Sequence, residues 1–120
     1  MLLLCVGGYN MRVIILEPNK DPMWAQIKND SESIKAIVGG ESMITPILIR
    51  DAVIITDNDA KLKNKSVNFY TEKDIIAGDV ILAGMKGEEL VDISDDQAKA
   101  FFAVYFPDFH LHPAYKLLFE

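Results

Sequence analysis

From Ser94 to Pro107 the sequence specifies a helix with one apolar face, and a chain that carries such a face must supply a second layer to cover it. Ser94 stands where an N-cap is wanted, Gln97 is its reciprocal partner three residues on, and Asp95 and Asp96 lie at the helix's positive end. Ala98, Phe101, Phe102 and Tyr105 then recur at spacings of three and four until Pro107 ends the helix.

The covering layer reads as strands. Arg12-Val13-Ile14-Ile15-Leu16 is a β-branched run closed by Glu17-Pro18, and Met23 to Ile27 alternates loosely after a polar turn, which predicts a hairpin. Asn29-Asp30-Ser31-Glu32 opens a short helix with Ile34, Ile37 and Val38 on one face and Gly39-Gly40 as a left-handed stop. Glu41 to Asp57 is rich in Ile and Val and broken by Pro46 and Arg50-Asp51, so it reads as two strands, with Pro46 at an edge or a strand start. Ile75 to Gly84 reads as a turn into a buried strand, paired through Met85–Glu88 with Glu89–Ile93. With neither repeats nor low-complexity linkers, the order predicts an α+β fold: a small, mostly antiparallel sheet with two short helices packed on it.

A chain of 120 residues is of single-domain size and can bury roughly 65% of its unfolded surface. The expected domain runs from 11 to 107, with 108–120 as an apolar C-terminal tail. Residues 1–10 read either as a translated leader or as an extra strand over Leu2–Val6. Gly7-Gly8-Tyr9-Asn10 before Met11 is encodable by a purine-rich ribosome-binding stretch, which favours the leader. Met1–Val6 lacks the basic leader and length of a signal peptide, and the lone Cys5 cannot close an internal disulfide, so a cytoplasmic location is expected, without a membrane span. The formal charge of −6 repels phosphate backbones and disfavours duplex nucleic acid as a partner.

Four features taken in order resemble the domain-of-unknown-function 3846 family, small proteins of phages, plasmids and bacteria. They are Glu17-Pro18 closing the first strand, Val38-Gly39-Gly40-Glu41 ending a helix, the Ile76-Ala77-Gly78 turn, and Ser94-Asp95-Asp96-Gln97 opening the last helix. The family's Leu-Pro-x-Asn-Arg stretch is replaced here by Lys65-Ser66-Val67-Asn68-Phe69, and Asp108–Glu120 runs past the family's usual end. The resemblance implies a small phage, plasmid or bacterial protein and carries over no catalytic residues.

Several clusters offer chemistry. Lys61, Lys63 and Lys65 alternate, so an extended segment would project all three ammonium groups from one face towards a phosphate, with Phe69 and Tyr70 near enough to stack a base. The plainer reading makes them guards of an exposed sheet edge. Asp57-Asn58-Asp59 offers two carboxylates to a hard cation but lacks the glycine and distal glutamate of a calcium loop, so an Asx turn is expected. Asp108, His110 and His112 would align as metal ligands if the tail were a strand, with a further ligand needed from outside. Phe109, Leu111, Leu117, Leu118 and Phe119 are too apolar to stay uncovered and predict a contact with the sheet, a partner or a second copy.

Catalysis has little to draw on. Both histidines lie in the tail and Cys5 in the leader segment, while Glu88-Glu89 and Asp95-Asp96 are explained by a solvated turn and a helix start. No cofactor is expected. The function that follows is a phage or mobile-element accessory protein that binds a host or defence protein without catalysis, as a monomer or a homodimer; the alternative is a nucleotide-sequestering protein using Lys61, Lys63, Lys65 and Tyr70.

Overall fold

The computed structural model describes residues 10–120. The leader reading of residues 1–10, apart from Asn10, and the extra-strand reading of Leu2–Val6 fall outside them, as does Cys5, whereas Asn10 opens the first strand. β1 (Asn10–Leu16) and β2 (Met23–Lys28) form the expected antiparallel hairpin. α1 (Ser31–Val38) is capped by the Asp30 carboxylate, which accepts the Ser33 N–H at 2.8 Å. Gly39, at φ 85°, ends it in the left-handed conformation that a residue without a Cβ adopts freely. β3 (Ser42–Pro46) and β4 (Ala52–Asp57) flank the Arg50-Asp51 turn. β5 (Val67–Tyr70), β6 (Ile75–Ala77), β7 (Val80–Lys86) and β8 (Glu89–Val91) precede α2 (Asp95–Tyr105), a 3₁₀ turn at Phe109–Leu111, and α3 (Pro113–Phe119).

Every strand pair is antiparallel. The main sheet runs β2-β1-β7-β4-β3, with β8 beside the far half of β7, and β5-β6 forms a separate two-stranded sheet. The α+β architecture is the expected one, with two corrections. Among the described residues three helices stand where two were expected, because the tail coils into α3: Pro113 presets its first turn, and the His112 Nδ1 caps it by accepting the Ala114 N–H at 3.0 Å. Ile75–Ala77, read as part of a turn, is a strand because β5 pairs with it before Gly78 turns the chain into β7.

Alternation divides the core. Ile14 and Leu16 of β1, Ala52 and Ile54 of β4, and Val80 and Leu82 of β7 face α2, where Phe101 and Phe102 are fully buried with Phe69 and Ile93. Val13, Val53, Ile55, Ile81 and Ala83 face the other way, against Ile34 and Val38 of α1. The central strands β4 and β7 are thus apolar on both sides, which is why they read as runs of Ile, Val, Leu and Ala. The capping box is formed in full: the Ser94 hydroxyl accepts the Gln97 N–H at 3.0 Å, and the Gln97 carbonyl oxygen accepts the Ser94 N–H at 2.9 Å. The Gln97 amide also donates to the carbonyls of Arg50 and Asp51, tying α2 to the β3–β4 turn.

The tail covers the β1–β2 end of the α2 face. Phe109 packs 4.6 Å from the Phe102 ring, Phe119 meets the edge of Trp24, and the Trp24 indole donates to the Leu118 carbonyl at 2.9 Å. The Arg12 guanidinium lies over the Trp24 ring, 3.4 Å from its centroid.

Candidate functional site

The lysine segment does not extend. Residues 58–64 wind into consecutive turns, with the Lys63 N–H donating to the Asp59 carbonyl and the Lys65 N–H to the Ala60 carbonyl. Asn64, at φ 55°, reverses the chain. Both the single cationic face and the guarded strand edge are therefore corrected: the three ammonium groups separate. Lys61 pairs with Asp74, whose carboxyl is lowered first by that bond and then by the Ile75 N–H. Lys63 and Lys65 turn inward onto Asp57.

Asp57 is the centre of this arrangement. Its side chain, 0% exposed, accepts Lys63 at 2.8 Å and Lys65 at 2.7 Å, while its other oxygen accepts the Asp59 N–H at 2.9 Å. That last bond is the expected Asx turn. Lys63, then Lys65, hold the Asp57 carboxyl far below the ordinary carboxylate range, against the burial that pushes it up. The same ammonium groups reach the C-terminus of α1, Lys65 donating to the Val38 carbonyl at 2.8 Å and Lys63 to the Gly39 carbonyl at 3.1 Å. Cations there satisfy orphan carbonyls and oppose the helix dipole. Gly40 leaves the room: a Cβ on it would lie 2.6 Å from the Lys63 ammonium and 2.7 Å from an Asp57 oxygen. The unit clasps α1 to β4, with one carboxylate and the carbonyls at the α1 C-terminus holding the two ammonium groups.

Tyr70 is exposed on β5, while Phe69 turns inward and meets the Phe101 ring edge-on at 5.5 Å. The two histidines do not converge, because a 3₁₀ turn and a helix replace the strand that would have aligned them. The His110 Nδ1 lies 3.1 Å from the Pro107 carbonyl, while His112 caps α3 and approaches Asp21 at 4.0 Å. Among the described residues no group of three or more His, Cys, Asp or Glu side chains is placed to hold a metal, and no helix is long and apolar enough to cross a membrane. Of the expected tail contacts, Phe109, Leu118 and Phe119 pack against the core, whereas Leu111 and Leu117 stand exposed.

Among the described residues the outer edge of β3 is left unpaired, and reading the sequence did not single it out as a candidate site. The Asn58 N–H donates to the Glu41 carbonyl at 2.7 Å, just beyond the register that pairs Ser42 with Asp57 and Met43 with Thr56. Antiparallel bonding alternates, so Glu41, Met43 and Thr45 bond to β4 while Ser42, Ile44 and Pro46 direct their backbone groups outward. Pro46 thus removes no ladder bond, which explains why a strand tolerates it here.

Clefts flank this edge on both faces. On the α1 side Ile44, Pro46, Leu48, Val53 and Met85 line one of about 540 Å³. On the α2 side Met43, Thr56, Leu62, Ile75 and Ile76 line one of about 370 Å³. Leu48 and Leu62 are 64% and 85% exposed, and residues 42–49 include no charged side chain. An added strand would bond to the edge and place alternate side chains in the two clefts. The signal was present as an uncharged run broken by a proline, but only the sheet order puts β3 outermost.

A family profile described as "Domain of unknown function (DUF3846)" matches residues 11–106. No curated protein and no solved structure matches the chain.

Proposed function

The chain belongs to the DUF3846 family, and on that premise we propose that it is a non-catalytic binding module, an accessory protein of a phage or mobile element that engages a host or defence protein in the cytoplasm. The observation that carries this reading is the open β3 edge, with outward backbone groups at Ser42 and Ile44 and an apolar cleft on each face. Strand addition draws affinity from main-chain bonds and specificity from pockets that take alternate side chains, and the outward backbone of β3 and its flanking clefts support that reading. The formal charge of −6 contributes by favouring basic partner surfaces and suppressing contact with nucleic acid. Phage and plasmid association rests on the family resemblance. The nucleotide-sequestering alternative loses its main support, since Lys63 and Lys65 are held by Asp57 and the α1 carbonyls and Lys61 by Asp74.

The test is affinity capture from a lysate of the source host with the wild type and with Leu48→Asp, which places a charge in the larger cleft. A protein retained by the wild type and lost by a folded L48D variant supports the reading. Equal retention by both moves the site elsewhere. A melting-temperature rise with nucleotides, abolished by Lys65→Glu, would replace protein binding with ligand binding.

A further inference from the structure

The charge distribution around β3 narrows what the open edge accepts. A second copy of this chain brings the same net negative charge, so two copies approach best where neither presents charged groups. Residues 42–49 are such a place, and β3 itself holds none of the lysines or inward-pointing charges with which proteins guard sheet edges. The opposite edge differs: Trp24 of β2 is covered by Phe119 and bonded to the Leu118 carbonyl.

We infer that the β3 edge pairs with the β3 edge of a second copy, antiparallel about a two-fold axis at Ile44, joining two main sheets into one. The inference rests on the reading of β3 as an open edge, for which a second copy and a partner strand compete, so partner binding would draw on the monomer. Outward-facing backbone is found at Ser42, Ile44 and Pro46, so a two-fold through Ile44 sets Ile44 opposite its copy and Ser42 opposite the other chain's Pro46. Each Ile44 N–H then donates to the other Ile44 carbonyl, and each Ser42 N–H donates to a Pro46 carbonyl. The missing N–H of Pro46 limits the ladder but breaks none of these bonds. Paired strands keep their faces, so the Ile44 side chains meet as a β-branched cross-strand pair over the α1-side clefts, while each Met43 lies beside a Thr45 on the α2 side. Antiparallel order also carries Arg50, exposed at the β3–β4 turn of one copy, towards the end of the strand where Glu41 of the other is exposed.

Sedimentation velocity over a concentration series tests this with the full chain, Ile44→Lys and Ile44→Glu. The wild type is expected to shift from monomer to dimer as concentration rises, each variant to remain monomeric because like charges face each other across the axis, and an equimolar mixture of the two to recover the dimer. Recovery in the mixture requires residue 44 to face itself, which a merely damaged fold would not produce. Hydrogen exchange is the second readout, with the Ser42 and Ile44 amides gaining protection only at dimer-forming concentrations. A wild type monomeric at every concentration, a dimer that survives both substitutions, or a mixture that stays monomeric overturns the inference. A monomer that still captures a partner protein through Leu48 overturns self-pairing alone. A chain that dimerises but captures no partner even at concentrations where it is monomeric counts against the proposed function alone.

Discussion

Replacing Asp57 with Asn keeps the side chain's size and the acceptor for the Asp59 N–H while deleting the charge that holds Lys63 and Lys65. Removing one member of a buried ion pair costs about 3–5 kcal/mol when its partner is stranded. Here the lysines keep 43% and 26% of their side-chain exposure and can turn to water, which places the loss just below that range, at about 2–3 kcal/mol. For a domain of this size that corresponds to a melting temperature lower by about 8–12 °C. The effect must depend on acid. Because the folded carboxyl titrates below its ordinary value of 3.8, its contribution is complete above that value and is lost as pH falls through it towards the folded one. Urea unfolding followed by circular dichroism at neutral pH and then down to about pH 3 should show a gap between wild type and D57N that narrows with acidification. A neutral-pH loss below about 0.5 kcal/mol, the scale of an exposed pair, would refute the clasp, and so would a gap independent of pH.

Gly40→Ala should cost about 1–3 kcal/mol by forcing its Cβ onto the Lys63 ammonium and the buried Asp57 carboxylate, and its loss should be less than additive with D57N in urea titrations. Lys61→Ala, which removes only an exposed pair with Asp74, should change the unfolding midpoint by less than about 1 kcal/mol. Ser94→Ala should lower stability by about 1 kcal/mol through the lost cap, with little change in denaturant slope. Truncation after Pro107 should red-shift the fluorescence of Trp24, the sole tryptophan, because Phe119 and the Leu118 carbonyl no longer cover it; an unchanged spectrum would mean that α3 does not dock in solution.

Local chemistry determined much of the fold. Glu17-Pro18 ended β1, Asp30 and Gly39 bounded α1, the Ser94/Gln97 box opened α2, and Pro46 marked a strand whose outward N–H could be dispensed with. Each works through groups a few residues apart, so spacing alone reveals it. The tail's helix was less legible, since its cap is a histidine and its apolar residues answer to Trp24 and Phe102, which lie far away in sequence. The candidate sites depended on tertiary structure almost entirely. The alternation of Lys61, Lys63 and Lys65 describes a cationic face only if the chain extends, and the backbone coils instead because Asp57 and the open carbonyls of α1 lie within reach of two of the ammonium groups. Nor can the uncharged run from Ser42 to Ile49 state its own exposure: the same residues would serve in a central strand. Sheet order placed β4 inside and β3 outside, and an edge is a property of the whole sheet, defined by the neighbour a strand lacks.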